Sequence, residues 1–278
     1  MTDSFSVVAV RYGTLETTLA DAYYRWSAYG EPDGPARLDY YFWILRSDDE
    51  TILVDTGFHP AAGARRGRTT LIEPAEAMAQ LGIGAESVSR VLLTHLHYDH
   101  TGNLDVLPDA ELLVPAIELD FWLSPMGRRG QFAGLVETAE LERVRAAEAE
   151  GRVRRLVGGE EIAPDVHAVH LGGHSPGQMA LAVFGEGAPV ILASDAAHFY
   201  DELDHERPFA VIADLAEMYE GYDTLRELAG AEGHIVPGHD PAVMQRYPRT
   251  EGDFAVRIRP PSTPAPGTRP PGGETPWA

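Results

Sequence analysis

The sequence contains no cysteine, and its 22 basic residues are all arginine because lysine is absent as well. The lack of cysteine excludes a disulfide framework, a thiolate nucleophile and thiolate metal ligands. The lack of lysine excludes a Schiff-base lysine and the lysine of a phosphate-binding P-loop. Any metal site in this chain must therefore be built from nitrogen and oxygen ligands.

The chain also lacks a surplus of positive charge and a long hydrophobic run. Its formal net charge is −21 at pH 7, and because nucleic-acid binding normally needs a basic face, no nucleic-acid partner is expected. No apolar stretch has the length of a transmembrane helix, so no membrane association is expected. The N-terminus, MTDSFSVVAV, has no basic segment ahead of its apolar part and does not resemble a signal peptide. We therefore expect a cytoplasmic protein.

Length and composition predict one large globular domain. Hydrophobic residues make up 44% of the 278 positions, which is enough for a sizeable core. No repeat or internal linker divides residues 1–256, which we predict to form a single domain. Residues 257–278 are rich in proline and glycine and poor in apolar residues, so we predict a disordered tail there.

The hydrophobic pattern predicts a protein rich in strands. Strands are predicted at residues 5–10, 39–47, 51–57, 88–94, 110–115, 152–157, 165–173, 178–184, 189–195 and 234–240, the second and third forming a hairpin. Helical patterns occupy residues 116–150 and 215–230. Each half thus combines strands with a closing helix, which indicates a two-layer sheet core with helices outside and not a doubly wound fold.

Four of the predicted strands lead into histidine or aspartate, in the segments THLHYDHTG, GGHSPGQ, SD and PGHD. If these strands lie side by side, their polar side chains converge on one edge of the sheets. The candidate metal ligands are His95, His97, Asp99, His100, His174, Asp195 and His239. The other histidines, except His198, are expected to be ordinary solvated or hydrogen-bonded side chains.

These donors are too many for one tetrahedral ion. Two ions about 3.5–4 Å apart, bridged by a carboxylate and a hydroxide, would use them all. Alternation along an extended segment places His95, His97 and Asp99 on one side and turns His100 elsewhere, so that neighbours serve different ions. Nitrogen and oxygen ligands suit Zn²⁺, and also manganese, iron or cobalt.

The same motifs, together with VDTG at 54–57, resemble in kind and order those of the metallo-β-lactamase fold superfamily over about residues 40–240. The resemblance implies an α/β fold, a four-layer αββα sandwich. It further implies that one ion is held by His95, His97 and His174, the other by Asp99, His100 and His239, with Asp195 as the bridge. Asp55 in VDTG either orients ligands or is a turn carboxylate.

Within that superfamily, true β-lactamases lack the bridging aspartate, and several have a cysteine there. With Asp195 present and cysteine absent, the chain resembles the hydrolases of this fold that have a full two-metal set, which include lactonases, glyoxalase II-type thioesterases and phosphodiesterases. Its long segment before VDTG, its HLHYDH motif and the DAAH stretch that starts at Asp195 are most similar to N-acyl homoserine lactonases. The resemblance implies a dinuclear metal-dependent hydrolase that opens a lactone or similar cyclic ester by attack of a metal-bridging hydroxide. A thioesterase or other ester hydrolase, and a non-hydrolytic lyase or cyclase, remain alternatives. The expected partner is a small-molecule ester or lactone, and a homodimer remains open.

One position departs from the lactonase pattern. Those enzymes carry a tyrosine three residues after the bridging aspartate, where this chain has His198. We expect His198 to polarise the substrate carbonyl or to donate a proton, with Tyr200 as an alternative, and Asp99 to carry the proton to the leaving oxygen. We also expect an apolar substrate pocket lined by aromatic residues: Phe58, Tyr98 and Trp26, with Tyr23 and Tyr24 nearby.

Overall fold

The computed structural model describes residues 5–185, 187–250 and 252–259. Its strands are β1 (Ser6–Thr18), β2 (Pro35–Arg46), β3 (Thr51–Val54), β4 (Thr69–Thr70), β5 (Val88–Leu92), β6 (Glu111–Pro115), β7 (Val153–Leu156), β8 (Glu160–Ala163), β9 (Val166–His170), β10 (Met179–Val183), β11 (Val190–Ser194), β12 (His234–Pro237) and β13 (Ala255–Arg259). Its α-helices are α1 (Leu19–Ala22), α2 (Pro60–Arg65), α3 (Pro74–Gln80), α4 (Tyr98–Thr101), α5 (Ala116–Leu123), α6 (Thr138–Ala149), α7 (Tyr200–His205), α8 (Leu215–Ala229) and α9 (Val243–Arg246).

The strands form two sheets. The first has the order β13-β1-β2-β3-β5-β6-β7, with β4 paired to β1. Pairing in this sheet is antiparallel from β13 to β3 and parallel from β3 to β7. The second sheet has the order β12-β11-β10-β9-β8 and is antiparallel except between β11 and β12.

Three apolar clusters separate four layers, and this confirms the predicted αββα sandwich. The inner cluster joins the facing sides of the two sheets, for example Trp43 of β2 and Leu181 of β10. The other two clusters lie on the outer faces. Helices α3, α5 and α6 cover the first sheet, and α8 covers the second through residues such as Tyr222. Because strand residues alternate between faces, each sheet contributes to two clusters.

The predicted hairpin is present, since β2 pairs antiparallel with β3 and Arg46 lies opposite Thr51. The first strand is much longer than the predicted 5–10, because β1 remains paired with β2 as far as Thr18 opposite Pro35. The helical pattern at 116–150 is two helices, α5 and α6. The pattern at 215–230 is α8, which begins after the capping side chain of Asp214.

The last strand, β13, extends to Arg259 and pairs with β1, so it crosses the boundary predicted at residue 256. The rest of the predicted tail, residues 260–278, lies outside the described residues. Among the helices of the described ranges, none has the length and apolar character needed to cross a membrane.

Candidate metal centre

The predicted metal ligands come together at one end of the sandwich. His95 and His97 follow β5 of the first sheet, and Asp99 and His100 lie in the short helix α4. His174 follows β9, while Asp195 and His239 follow the parallel strands β11 and β12 of the second sheet. All seven side chains are buried, and their ligand atoms form overlapping groups whose members lie within 4.8 Å of one another.

The first group consists of His95, His97 and His174. The Nε2 atom of His174 lies 2.9 Å from Nδ1 of His97. The rings of His95 and His97 meet edge to face with their centroids 4.4 Å apart. Three imidazoles thus present nitrogen atoms to one small volume.

The second group consists of Asp99, His100 and His239. The Nε2 atom of His100 lies 3.8 Å from a carboxylate oxygen of Asp99. The hydroxyl of Tyr12 donates a hydrogen bond of 2.9 Å to the backbone carbonyl of Asp99, which ties α4 to β1.

Asp195 lies between the two groups. Its Oδ2 atom is 3.3 Å from Nε2 of His174 and 3.8 Å from Nε2 of His95. Its Oδ1 atom is 3.1 Å from Nε2 of His239 and 3.3 Å from Nε2 of His100. One carboxylate therefore turns a different oxygen toward each group, which is the arrangement that a bridging ligand needs.

Hydrogen bonds at the Nδ1 atom fix the orientation of two of the candidate ligands, His174 and His239. Nδ1 of His174 is 3.0 Å from the Val211 carbonyl, and Nδ1 of His239 is 3.0 Å from the Asp39 carbonyl. Both contacts require Nδ1 to carry the proton, because a carbonyl only accepts. Nε2 of each ring is then left as a lone-pair donor for a metal.

Asp55 performs the same task for His100, whose Nδ1 lies 2.7 Å from Asp55 Oδ2. The same carboxylate accepts hydrogen bonds from the backbone N–H and the hydroxyl of Thr94, the residue before His95. Asp55 has φ of 62°, in the left-handed region that non-glycine residues rarely adopt. The contact between Asp55 and Nδ1 of His100 favours the role of Asp55 in orienting a ligand over that of a simple turn carboxylate.

Sequence reasoning missed Glu118, a fully buried carboxylate on α5. It accepts hydrogen bonds from the backbone N–H groups of Leu96 and Gly177 and from the hydroxyl of Ser175. It therefore joins the loop that carries His95 and His97 to the loop that carries His174. The signal available in the sequence was the pair of acids Glu118 and Asp120 within the apolar segment AIELDFWL, since an acid that is buried with such a segment must find buried donors.

Burial keeps the first histidine group neutral. It lowers the pKa of His97 to about 3 and holds the pKa of His95 and His174 well below the ordinary value. A neutral imidazole is the form that binds a metal. In the second group burial also tends to lower the pKa, but the surrounding carboxylates together outweigh it and raise the pKa of His100 and His239. Asp195 and Asp99 act on both rings, and Asp55 acts on His100 as well.

The residues fit divalent metal ions. The Nε2 atoms of His95, His97 and His100 are buried and have no hydrogen-bond partner among the described residues. A buried polar atom without a partner is costly, and metal ions bound by the two groups would provide partners for such atoms. The donors are imidazoles and carboxylates without sulfur, a set that zinc accepts readily.

A cavity of about 350 Å³ opens onto this cluster. Its floor includes side chains of both groups and His198, and Tyr98 forms part of its wall as predicted. The remaining wall is largely apolar, and its apolar members are Leu15, Ala22, Leu38, Tyr40, Leu135, Phe209, Ala210 and Val211. Its polar members are Thr17, Asp21 and Arg68. Polar groups converging on a mostly apolar cavity are typical of a small-molecule site.

Three predicted pocket residues do not line this cavity. Phe58 is fully buried behind it and packs against the rings of Tyr12 and Tyr40. Trp26 packs on Tyr23 beneath Arg207. The ring of Tyr200 lies under the guanidinium of Arg246, 3.5 Å away. The structure thus places these three side chains outside the cavity lining, and their direct contact with a substrate stays a prediction.

Neither Tyr23 nor Tyr24 is among the residues that line the cavity. The walls come instead from the residues beside them and from the segment after α7. Phe209, Ala210 and Val211 belong to that segment, and nothing in their local sequence pattern pointed to a site.

His198 borders both the cavity and the metal cluster. Its ring stacks on Phe209 with centroids 3.7 Å apart, and its Nε2 atom lies 3.2 Å from Asp195 Oδ2. Burial lowers the pKa of His198 to about 4, so the ring is neutral at pH 7. Neither ring nitrogen has a hydrogen-bond partner within the described ranges.

Sequence comparison finds N-acyl homoserine lactonases among the proteins that are similar to this chain. An N-acyl homoserine lactonase of Agrobacterium fabrum, AiiB, is 29% identical over 175 residues, which cover 56% of this chain and 62% of that protein. An N-acyl homoserine lactonase of a Bacillus species is 24% identical over 220 residues, covering 73% and 82%. The chain thus matches slightly less than two thirds of the first relative.

Structural comparison agrees on the fold. The dizinc quorum-quenching lactonase AidC, solved with the product N-hexanoyl-L-homoserine, superposes with a TM-score of 0.68 at 15% identity. The match covers 95% of this chain and 99% of AidC. The sequence pattern of the metallo-beta-lactamase superfamily itself matches residues 37–251. The chain therefore belongs to the metallo-beta-lactamase superfamily.

Proposed function

We propose that this protein is a dinuclear metal-dependent hydrolase that opens a lactone or a similar cyclic ester. The observation that carries the proposal is the position of Asp195, whose two oxygens face different groups of ligands. The similarity to N-acyl homoserine lactonases supports the substrate class. Zinc is the ion we propose, because the donor set lacks sulfur and the similar lactonase AidC is a dizinc protein.

Each of the two groups of side chains would bind one metal ion. His95, His97 and His174 would hold one ion, and Asp99, His100 and His239 would hold the other, with Asp195 shared. Two bound ions would supply a water of lowered pKa and polarise the scissile carbonyl. The absence of cysteine and lysine agrees with a route that needs no nucleophile from the protein.

Side chains of the protein would orient the substrate and transfer the proton. Neutral His198, held in place by its stack on Phe209, can donate a hydrogen bond from the cavity wall to the substrate carbonyl oxygen. Asp99 borders the cavity, and burial raises its pKa. A carboxylate with a raised pKa can accept a proton from the attacking water and pass it to the leaving alkoxide. The apolar walls limit the access of bulk water.

The proposal is tested by comparing matched lactones and thioesters. We expect the zinc-loaded protein to open an N-acyl homoserine lactone at least about 10-fold faster, by kcat/KM, than it cleaves a thioester with the same acyl group. Chelation should abolish the reaction and zinc should restore it.

Preference for the thioester would replace the lactonase proposal by a thioesterase. Turnover that survives complete removal of the metal would contradict the metal-dependent mechanism. Conversion of the lactone without the appearance of a ring-opened acid would indicate a lyase or cyclase reaction.

A further inference from the structure

The cavity contains one side chain whose charge the lactonase proposal does not use. Arg68 lies between α2 and β4, half-buried, and lines the cavity together with Tyr98 and Tyr40. Apart from histidines, Arg68 is the one basic residue among the described residues that line the cavity. A cation in a largely apolar wall beside a reactive centre needs a physical explanation.

The contacts of Arg68 within the protein are all to neutral acceptors. Its Nε–H group is shared between the hydroxyl of Tyr40 at 3.1 Å and that of Tyr98 at 2.9 Å. Its Nη1 donates to the backbone carbonyl of Arg66. In the described ranges Nη2 has no hydrogen-bond partner, and no carboxylate lies within 4.0 Å of the guanidinium.

Three other half-buried arginines have carboxylate partners. Arg66 pairs with Glu137, and Arg90 forms a two-pronged pair with Glu50. Arg11 pairs with the buried Asp39. Burial costs a guanidinium part of its hydration free energy, and a paired carboxylate offsets that cost. A partly buried guanidinium without an anion lacks this compensation. The missing anion at Arg68 therefore points to a charge supplied from the cavity.

Arg68 stands close to the proposed reaction centre. Its Nε contacts Tyr40, whose ring packs edge to face on the metal-ligand candidate His239 at 4.8 Å between centroids. Its other partner, Tyr98, adjoins Asp99 in the chain. A substrate whose carbonyl lies over the metal-ligand cluster and whose anionic group is a few bonds away can contact the cluster and Arg68 at the same time.

We propose that Arg68 binds a carboxylate of the substrate, so that the preferred substrates are lactones or esters that carry a second, anionic group. This inference rests on the proposed function. The two hydroxyls hold the Nε edge of the planar guanidinium, which leaves the Nη2 side to donate to a carboxylate oxygen. The exposed Asp21 also lines the cavity, and Arg68 would offset its repulsion of a substrate carboxylate.

The test uses two lactones that differ in one group. N-glutaryl homoserine lactone ends in a carboxylate, and its terminal amide analogue has the same size and shape without the charge. For the zinc-loaded protein we expect kcat/KM to favour the carboxylate by roughly 10- to 100-fold, mainly through a lower KM. Arg68→Gln should bring the ratio near one while the amide compound changes little, and Arg68→Lys should retain part of the preference.

The matched control is Arg65→Gln, which removes an exposed arginine of α2 paired with Glu137 and should leave the ratio unchanged. Equal rates for the two lactones in the unaltered protein would overturn the inference. So would an equal loss on both lactones in Arg68→Gln, because Arg68 would then only support Tyr40 and Tyr98. Circular dichroism and thermal unfolding establish that each variant is folded.

Failure of the lactonase proposal would look different. If neither lactone is opened, calorimetric binding of the same two compounds to the zinc-loaded protein tests Arg68 alone. Tighter binding of the carboxylate compound, lost in Arg68→Gln, would support the inference without turnover. Equal binding of both compounds would contradict it.

Discussion

At the scale of single residues, buried charge decides what this site can do. Asp195 is almost completely buried and faces five imidazole nitrogens within 3.8 Å. Such a carboxylate is tolerable only with opposite charge beside it. Without metal, the charge comes from protons that Asp195 favours on His100 and His239. Divalent ions would take the place of those protons.

The sequence predicted these candidate ligands because several histidines and aspartates at the ends of apolar strands indicate a shared metal site. It did not predict the positions of Phe58, Trp26 and Tyr200, because an aromatic side chain is equally suited to a core and to a pocket. Which of the two it joins depends on packing against distant segments. Phe58, for example, packs on Tyr12 and Tyr40 of two other strands.

His198 gives a prediction at this scale. His198→Phe keeps a flat ring for the stack on Phe209 but removes both nitrogens of this cavity-lining ring. We expect kcat on the lactone to fall about 100-fold, the usual cost of losing one carbonyl-polarising donor. Metal content should stay unchanged, and the exposed His205→Phe should retain full activity.

Full activity of His198→Phe would remove His198 from the reaction. Loss of one metal ion would instead make it a ligand, a result that its place beside His174 and Asp195 makes worth measuring. Parallel measurements of kcat and of metal content by plasma mass spectrometry separate these outcomes.

At the scale of elements, the site depends on where strands end and how their loops turn. The sequence predicted strands that lead into the ligands, because short apolar runs followed by polar residues mark strand ends well. It did not predict α2, β4 and α3, which lie between Phe58 and Ala85. These elements are too short for a clear periodic signal, and they carry Arg68 into the cavity.

Gly173 in the GGHSPG loop gives a prediction at this scale. It has φ of 79°, and a Cβ atom there would lie 2.7 Å from the backbone nitrogen of Met218 in α8. We expect Gly173→Ala to lower the free energy of unfolding of zinc-free protein by about 2–4 kcal/mol, because the residue is strained and α8 must also shift. Chemical denaturation measures this loss.

Gly151 is the matched control. Its φ is 78°, but no atom lies within 4 Å of the Cβ position among the described residues. Gly151→Ala should cost only about 1 kcal/mol, from backbone strain alone. Equal losses in the two variants would show that contact with α8 does not restrict the loop of His174.

At the scale of the whole molecule, two sheets and their covering helices bring distant segments of the chain to one cavity. The layers were predicted, since alternating and helical patterns reveal which faces are apolar. The sheet order was not, because partners such as β1 and β13 are separated by most of the chain and local pattern does not specify them. The cavity walls formed by residues 209–211 depend on that order as well.

The net charge of −21 also acts at this scale. Such a chain repels anions at long range, although salt screens exposed charges over about 10 Å. Two divalent ions and Arg68 would offset that repulsion at the cavity. Metal binding is therefore the central claim, since both the proposed reaction and the proposed anionic substrate depend on it.

Counting metal ions per chain in the zinc-reconstituted protein, by plasma mass spectrometry, tests this claim most directly. We predict about two zinc ions in the unaltered protein and in His59→Ala, and about one in His97→Ala and in His239→Ala, since each removes a ligand of a different ion. One ion or none in the unaltered protein would contradict the two-metal site.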